Sequence, residues 1–327
     1  ELKFTVISDT HYYSKKNFVD GFDKNKKPKP GQLFFSRSEE IVEHTFDCLC
    51  KNDTPDIVLI SGDLTYNGER TSHDEMKAAL KKLQQKGKRV YVITATHDYT
   101  TPRMPTYGID KNDKYIEVES VNRTQLLKYY GDFGYNNAIA KHKSTMSYVA
   151  QLADGYRLFA LNDDYGDPDC GFSDELMNWV KTEANNAKRD GQYIIAMTHH
   201  PLVPPSPIYA AVAKGDMLNE YELRRNQLSD LGFDFVLTGH THMHNISYCK
   251  IGNKKFYDIS TAALTGFPPY YRQIVLNKEQ KKAEIKTICA DCADSIDTNG
   301  LALEEYTKDL FLGVVSKALY DAEYDYD

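Results

Sequence analysis

The sequence lacks long apolar runs and an excess of positive charge. Its longest apolar runs, such as Ile57 to Ile60 and Tyr193 to Met197, are far shorter than the ~18 residues that a membrane-spanning helix needs. Forty basic against 47 acidic side chains give a net charge of -7, so no positive field attracts a nucleic-acid backbone. A membrane-spanning protein is therefore excluded, and nucleic acid is not expected as a bulk partner.

Cysteine is sparse and carries little information. Six cysteines in 327 residues do not indicate a disulfide scaffold, because a chain of this length buries a core without covalent cross-links. Cys289 and Cys292 have the spacing of a zinc knuckle, but no second pair follows at the matching separation. The Gly-x-Ser-x-Gly motif and a glycine-rich Walker loop are absent as well, which excludes serine hydrolases and nucleotide-driven kinases.

The chain begins at Glu1 and runs directly into a strand pattern, without an initiator Met or the apolar segment of a signal peptide. We expect a mature product from which an export signal has been removed, and hence a protein of the cell envelope or the extracellular space. A cytoplasmic protein whose first residues were trimmed would begin in the same way, so this alternative stays open. The sequence does not indicate an oligomeric state.

The first two thirds of the sequence alternate short β-branched runs with longer helical patterns. This alternation predicts an α/β sandwich in which helices cover sheets. Six strands are predicted, each ending in a polar cluster: Lys3 to Ser8, Asp56 to Ser61, Arg89 to Thr94, Arg157 to Asn162, Tyr193 to Thr198 and Asp234 to Thr238. Five helices are predicted: Ser36 to Lys51, Ser72 to Lys86, Val121 to Tyr130, Ser173 to Arg189 and Asn219 to Leu231.

The pattern changes after His244. Four further strands are predicted to complete a second sheet layer: Ser247 to Ile251, Lys254 to Ile259, Gln273 to Leu276 and Ala283 to Ile288. Apolar residues then recur at helical spacing from Leu301 to Tyr320, which predicts a packed terminal helix. We therefore predict one domain at residues 1–290 and a C-terminal helical extension, packed on the domain, at residues 291–327.

Aspartate and histidine residues follow five of the six strands. They are Asp9 and His11, Asp63, His97 and Asp98, His199 and His200, and His240 and His242. One Asp-x-His is weak evidence on its own, because about one is expected by chance in a sequence of this composition. The carboxyl ends of parallel strands lie along the same edge of a sheet, so these side chains are expected to meet.

The chemistry of these side chains predicts a metal site. Imidazole together with carboxylate suits zinc, iron or manganese, whereas oxygen ligands alone would suit calcium or magnesium. Six strong ligands also exceed what one ion needs. Two divalent or trivalent transition-metal ions (Fe, Mn or Zn) that share a carboxylate would use all six: Asp9, His11, Asp63, His199, His240 and His242.

These motifs resemble those of the calcineurin-like metallophosphoesterases. The pattern of that family is Asp-x-His, Gly-Asp, Gly-Asn-His-Asp/Glu, His before Tyr/His-Pro, and Gly-His-x-His. The resemblance extends from Asp9 to His242, which is about three-quarters of the chain. It implies a four-layer α/β/β/α sandwich with two packed mixed sheets and a C-terminal helix.

The resemblance also implies a role for each matching residue. The two metals would be held by Asp9, His11 and His242 on one side and by His199 and His240 on the other, with Asp63 bridging both. His97 would contact the phosphate and protonate the leaving oxygen. Asp98 would orient His97 or cap the segment that follows. His200 and Asn67 are candidates for contacts with the substrate.

One position departs from the family pattern. Ala95 and Thr96 stand where the family has Gly-Asn before its catalytic histidine. The Asn normally gives its carboxamide oxygen to the second metal, and a Thr hydroxyl is a shorter and poorer donor. We expect Thr96 to hold the second metal weakly or through a water. A Cβ at Ala95 would also change the turn if the turn needs a positive φ.

The resemblance implies a dinuclear metal-dependent hydrolase that cleaves a phosphodiester or phosphomonoester by attack of a metal-bridging hydroxide. The Asp-Arg-Gly of the protein serine/threonine phosphatases does not follow Asp63, so the sequence looks more like the bacterial phosphodiesterase and phosphohydrolase branch. Its partner would be a small phosphate ester. The alternative is a binding or regulatory protein on the same scaffold, in which Thr96 has weakened the second metal.

Overall fold

The predicted alternation of strands and helices is present in a computed structural model that describes residues 1–22, 33–51, 53–102, 104–164, 170–290 and 296–324. The strands are β1 (Leu2–Ile7), β2 (Ile57–Ser61), β3 (Arg89–Ile93), β4 (Gly108–Ile109), β5 (Tyr115–Ile116), β6 (Ala140–His142), β7 (Ser147–Ala153), β8 (Tyr156–Ala160), β9 (Tyr193–Met197), β10 (Phe235–Thr238), β11 (Asn245–Ile251), β12 (Lys254–Ser260), β13 (Tyr270–Asn277) and β14 (Lys282–Cys289). The helices are α1 (Phe35–Leu49), α2 (Arg70–Gln85), α3 (Leu126–Tyr130), α4 (Asp174–Arg189), α5 (Pro207–Val212), α6 (Tyr221–Asp230) and α7 (Leu303–Tyr324).

Most of the strands belong to two mixed sheets. The first sheet has the order β14-β13-β1-β2-β3, and the second has the order β11-β12-β10-β9-β8-β7-β6. Strands β1, β2 and β3 run parallel to one another, as do β8, β9, β10 and β12. Each parallel set therefore ends along one edge of its sheet. Strands β4 and β5 form a separate hairpin.

The two sheets pack against each other, and helices cover their outer faces. One buried cluster contains residues of both sheets, such as Phe4 and Leu158, together with Leu80 of α2. A second cluster joins Phe159 to Leu176 of α4. The neighbours Leu158 and Phe159 fall in different clusters because successive strand residues point to opposite faces of a sheet. This layering confirms the α/β/β/α sandwich.

The pairing of the last four strands differs from the prediction. They do not complete one layer, because β11 and β12 extend the second sheet whereas β13 and β14 extend the first. Strands β6 and β7 were not predicted at all. The first error concerns partners that are distant in the chain, such as β13 and β1, and a local hydrophobic pattern does not contain that information. Strands β6 and β7, by contrast, pair with neighbours in the chain, because β7 pairs with β6 before it and with β8 after it.

The C-terminal helix α7 packs through its first turns. Leu303 and Tyr306 are buried in the main core, whereas Leu312 and Val315 are exposed. None of the helices in the described part of the chain combines the length and apolarity that crossing a membrane requires. Residues 291–295 and 325–327 lie outside the described residues, so the division at residue 290 stays a prediction.

Candidate metal centre

The candidate ligands converge where parallel strands of both sheets end. Strands β1 and β2 of the first sheet and β9 and β10 of the second are followed by the six predicted ligands: Asp9, His11, Asp63, His199, His240 and His242. Three overlapping groups have potential ligand atoms within 4.8 Å of one another: Asp9, His11 and His242; His11, Asp63 and His97; and Asp63, His199 and His240. The structure thus brings all six together, with His97 beside them.

The backbone at five of these residues is left-handed. The five have φ angles between 37° and 63°: Asp9, His11, Asp63, His240 and His242. Residues other than glycine adopt this conformation at a cost of about 1–3 kcal/mol each, and such residues cluster at functional sites. Two hydrogen bonds join the loop after β1 to the loop after β2. The Asp9 amide donates to Gly62 O at 3.2 Å, and the His11 amide donates to Asp63 O at 3.0 Å. The surrounding structure therefore imposes these turns.

Asp9, His11 and His242 form the first candidate group. Nε2 of His11 lies 3.2 Å from Nε2 of His242 and 3.7 Å from Oδ1 of Asp9. Nε2 of His242 lies 3.4 Å from the same carboxylate oxygen. Ligand atoms at tetrahedral distances from one zinc-sized ion are separated by about 3.4 Å. The three side chains therefore fit a single ion of that kind.

Asp63, His199 and His240 form the second candidate group. Nδ1 of His199 is 2.8 Å from Ser61 O and donates to it, which leaves Nε2 to face the cluster. This Nε2 lies 3.2 Å from Oδ2 of Asp63, yet it is buried without a hydrogen-bond partner. A buried nitrogen lone pair without a donor is costly unless a cation occupies the space beside it. The donor set of this group therefore fits a metal ion as well.

Asp63 connects the two groups. Its Oδ2 is 3.7 Å from Nε2 of His11 as well as 3.2 Å from Nε2 of His199. Oδ1 of Asp9 lies 4.0 Å from the same nitrogen of His199. A carboxylate that reaches the histidines of both groups has the position that a ligand shared by two ions needs.

Burial and charge determine the protonation of this cluster. Burial opposes ionisation of Asp9 and Asp63, but the neighbouring histidines hold the pKa of both carboxyls well below its usual value. Burial lowers the pKa of His11 to about 4 and also lowers that of His240. Burial acts in the same direction on His199, yet Asp63 raises its pKa well above the ordinary value. The two carboxylates thus attract a cation to the nitrogen lone pairs, where a metal ion competes with a proton.

The turn at Ala95 and Thr96 does not need a glycine. Ala95 has φ -146°, which is extended backbone, so the expected distortion from its Cβ is not found. The residue that needs glycine is Gly62, with φ 102° and a position for Cβ only 2.7 Å from Nδ1 of His199 and 2.8 Å from Cβ of Ala95. Thr96 begins the short turn to Asp98 and is partly exposed. Its role as a ligand stays a prediction.

His97 is oriented by Asn67 and by backbone. Its Nδ1 lies 2.7 Å from Tyr66 O and 2.7 Å from Oδ1 of Asn67, and its amide donates to Oδ1 of Asp63 at 3.0 Å. Asn67 was predicted to contact substrate, and the structure places it in the loop after β2, where it accepts from the His97 ring. This pair has no signal in the sequence, because Asn67 and His97 lie in different loops 30 residues apart.

Asp98 is buried and caps the turn. Its Oδ1 accepts from the Thr65 amide at 2.8 Å, and its Oδ2 accepts from the Ala95 amide at 2.9 Å. Burial, with Asp63 as a further cause, raises the pKa of Asp98 well above its usual value. These contacts support the capping alternative for Asp98 and leave the orientation of the His97 ring to Asn67.

His200 pairs with an aspartate that the sequence analysis missed. Asp163 follows β8, and its Oδ1 lies 3.1 Å from Nδ1 of His200. Its Oδ2 accepts from the Thr198 hydroxyl at 2.8 Å and from the amides of His199 and His200 at 3.1 and 2.7 Å. The ring of His200 is 2% exposed and lies 4.0 Å, centroid to centroid, from that of His240. His200 therefore supports the ligands, and the predicted substrate contact has no support in its position.

The signal for Asp163 was present in the sequence. The strand predicted at Arg157 to Asn162 is followed directly by two aspartates, as β2 is followed by Asp63. Burial disfavours a charge on His200, but Asp163 raises the pKa of this histidine to about 10, and His200 in turn holds the pKa of Asp163 below its usual value against burial. The buried ion pair of Asp163 and His200 thus contacts both His199 and His240.

The comparisons with known proteins agree with this geometry. The chain superimposes on a dimetal phosphatase from Danio rerio with a TM-score of 0.60 at 12% identity, covering 88% of this chain and 96% of that one. A purple acid phosphatase from yellow lupin (Lupinus luteus) seeds gives a TM-score of 0.54 at 11% identity, covering 88% of this chain and 51% of the lupin chain. At these identities the likeness shows a shared fold.

Sequence comparison identifies the family. No curated protein sequence gives a significant match. The family model described as calcineurin-like phosphoesterase matches residues 2–244, which include every candidate ligand. The chain therefore belongs to the calcineurin-like phosphoesterase family.

Proposed function

We propose that the protein is a dinuclear metal-dependent hydrolase of phosphate esters. The observation that carries this proposal is the junction at Asp63, whose carboxylate lies 3.7 Å from Nε2 of His11 and 3.2 Å from Nε2 of His199. One ion would be held by Asp9, His11 and His242, and the other by His199 and His240, with Asp63 shared. Iron, manganese and zinc all suit this mixture of imidazole and carboxylate.

The two ions would supply a water of lowered pKa as nucleophile and would neutralise the charge of the phosphoryl oxygens. The protein positions the leaving group. With Nδ1 of His97 donating to Tyr66 O and to Asn67, Nε2 is the ring nitrogen left to face the leaving oxygen, and the imidazolium form of the ring would give its proton to that oxygen from Nε2 and become neutral.

A second candidate function rests on Thr96. If this residue holds no metal, the second ion depends on Asp63, His199 and His240 alone, and the chain would act as a binding or regulatory protein. Three further points stay predictions: the preference for a monoester or a diester, a bacterial origin, and export from the cytoplasm.

The test is hydrolysis of p-nitrophenyl phosphate and bis(p-nitrophenyl) phosphate after metal removal and readdition of Mn, Zn or Fe. We expect metal-dependent turnover with two ions per chain and a loss of at least about 100-fold in His97→Ala. His44→Ala on α1 is the control, because it changes a histidine away from the site. Absence of turnover with every metal, at one ion per chain or none, would support the binding protein instead.

A further inference from the structure

Three tyrosines form a row from the metal centre to the surface. The ring centroid of Tyr66 lies 6.4 Å from that of His11 and 6.5 Å from that of His97. The Tyr107 ring is 6.2 Å beyond Tyr66, and the Tyr115 ring is 4.3 Å beyond Tyr107. We call Tyr66, Tyr107 and Tyr115 the tyrosine row. It becomes more exposed outward, since Tyr66 and Tyr107 are partly buried and Tyr115 is 66% exposed.

The tyrosine row is tied to the catalytic loops. Tyr66 follows Asp63 by three residues, and its carbonyl accepts from the His97 ring at 2.7 Å. The Tyr13 hydroxyl donates to Tyr107 O at 3.0 Å, and the Thr106 hydroxyl donates to Asn67 O at 2.5 Å. The rings are therefore held at a set distance from the proton donor of the leaving oxygen.

Tyr107 and Tyr115, at the outer end of the row, line a cleft whose described lining residues carry no positive charge. The cleft has a volume of about 500 Å³, and its walls include Tyr107, Tyr115, Ile116 and Val118. Its described lining contains the acidic Glu117 and no lysine or arginine. A leaving group with a further phosphate would meet no basic partner among these residues, whereas a flat uncharged ring would meet aromatic faces and edges.

We propose that the tyrosine row is the subsite for an uncharged aromatic leaving group, so that the substrate class is an aryl or aryl-bearing phosphate ester. This inference rests on the proposed function, because it places the phosphate between the metal groups and His97. A leaving oxygen protonated by His97 emerges beside the ring of Tyr66. The substituent on that oxygen then extends along Tyr107 and Tyr115.

The test is competitive binding of phosphonates that cannot be hydrolysed, measured by calorimetry on the metal-loaded protein and as inhibition of p-nitrophenyl phosphate turnover. Phenylphosphonate and cyclohexylphosphonate have rings of similar size, but only the first is aromatic. We expect phenylphosphonate to bind about three- to tenfold more tightly, and biphenyl-4-ylphosphonate to gain a similar factor again. Methylphosphonate reports binding of the phosphonate group alone.

Three variants separate the row from the metal centre. Tyr66→Leu should abolish the preference for phenylphosphonate, and Tyr115→Ala should abolish only the gain of the biphenyl compound. The affinity for methylphosphonate should stay unchanged in Tyr115→Ala. Tyr248→Ala is the control, because Tyr248 is 52% exposed and lies on β11 of the second sheet, outside the tyrosine row. If Tyr66→Leu fails to fold, the exposed Tyr115→Ala still decides the proposal.

The outcomes distinguish the two proposals. Equal affinity of the wild type for phenylphosphonate and cyclohexylphosphonate, with methylphosphonate bound, would overturn the aromatic subsite and leave the hydrolase intact. An unchanged biphenyl gain in Tyr115→Ala would also overturn the outer part of the row. Failure of every phosphonate to bind with any metal would overturn the proposed function, and the subsite with it.

Discussion

Oδ1 of Asn67 lies 2.7 Å from Nδ1 of His97 and accepts its hydrogen bond. The same nitrogen is 2.7 Å from Tyr66 O, so two oxygens from the loop after β2 determine the orientation of a ring in the loop after β3. This relationship gives Asn67 a defined task, because a general acid must be held in one orientation toward the leaving oxygen.

Replacing Asn67 by Leu should lower kcat about tenfold and leave KM nearly unchanged, because the His97 ring keeps the Tyr66 carbonyl but loses a second acceptor. Asn67→Asp keeps an acceptor oxygen and should recover much of kcat. Asn178→Leu, at an exposed position of α4, is the control. A rise in KM with unchanged kcat would show that Asn67 binds substrate without positioning His97.

Gly62→Ala should displace His199. The new Cβ would lie 2.7 Å from Nδ1 of His199 and 2.8 Å from Cβ of Ala95 at a residue with φ 102°, so these two side chains leave no room for it. We expect a loss of about 2–4 kcal/mol in the free energy of unfolding and fewer than two ions per chain by elemental analysis. Gly87→Ala shares the positive φ, at 90°, but meets no atom within 4 Å, so it isolates backbone strain from the clash. Equal effects of the two substitutions would contradict this explanation.

Asp163→Ala should destabilise the fold and weaken metal binding together. It leaves His200 without its carboxylate and three buried donors without an acceptor, which costs about 3–5 kcal/mol. Urea denaturation of the metal-free protein measures the stability, and calorimetric titration measures the metal affinity. Asp190→Ala changes an aspartate that is paired with Arg157 at the surface and should have a small effect. An intact metal affinity in Asp163→Ala would show that the pair with His200 serves stability alone.

Asp258 should make stability depend on pH. Burial raises the pKa of this carboxyl to about 6, above its value of 3.8 in the unfolded chain. The folded protein therefore binds the proton more tightly, and the associated stability is complete below about pH 4 and is lost as pH rises through 6. The loss amounts to about 2 kcal/mol between pH 4 and 7.

Asp258→Asn should remove this loss. The variant cannot ionise, so its free energy of unfolding should fall about 2 kcal/mol less than that of the wild type over the same range. Urea denaturation of both proteins from pH 4 to 7 measures the difference. Asp258 also accepts hydrogen bonds from the amides of Leu202 and Val203. Any weakening of these bonds in Asp258→Asn should lower the free energy of unfolding by the same amount at every pH. Parallel stability curves would contradict the raised pKa.

The sequence by itself determined the strands that end at the site and the residues that follow them. A short β-branched run ending in Asp or His is a local pattern, and the parallel strands of both sheets bring those ends together. This is why Asp9, His11, Asp63, His199, His240 and His242 could be named as one constellation. Asp163 has the same signal, because it follows β8 as Asp63 follows β2.

Only the tertiary structure decided which groups touch across different loops. Asn67 orients His97, whereas Asp98 caps the turn. This division depends on side-chain directions in two loops that are about 30 residues apart in the chain. The division of β11 to β14 between the sheets, and the row from Tyr66 to Tyr115, depend likewise on pairing and packing between distant segments. The sequence pattern records the local preference of each segment, whereas such contacts arise from how the whole chain buries its apolar surface.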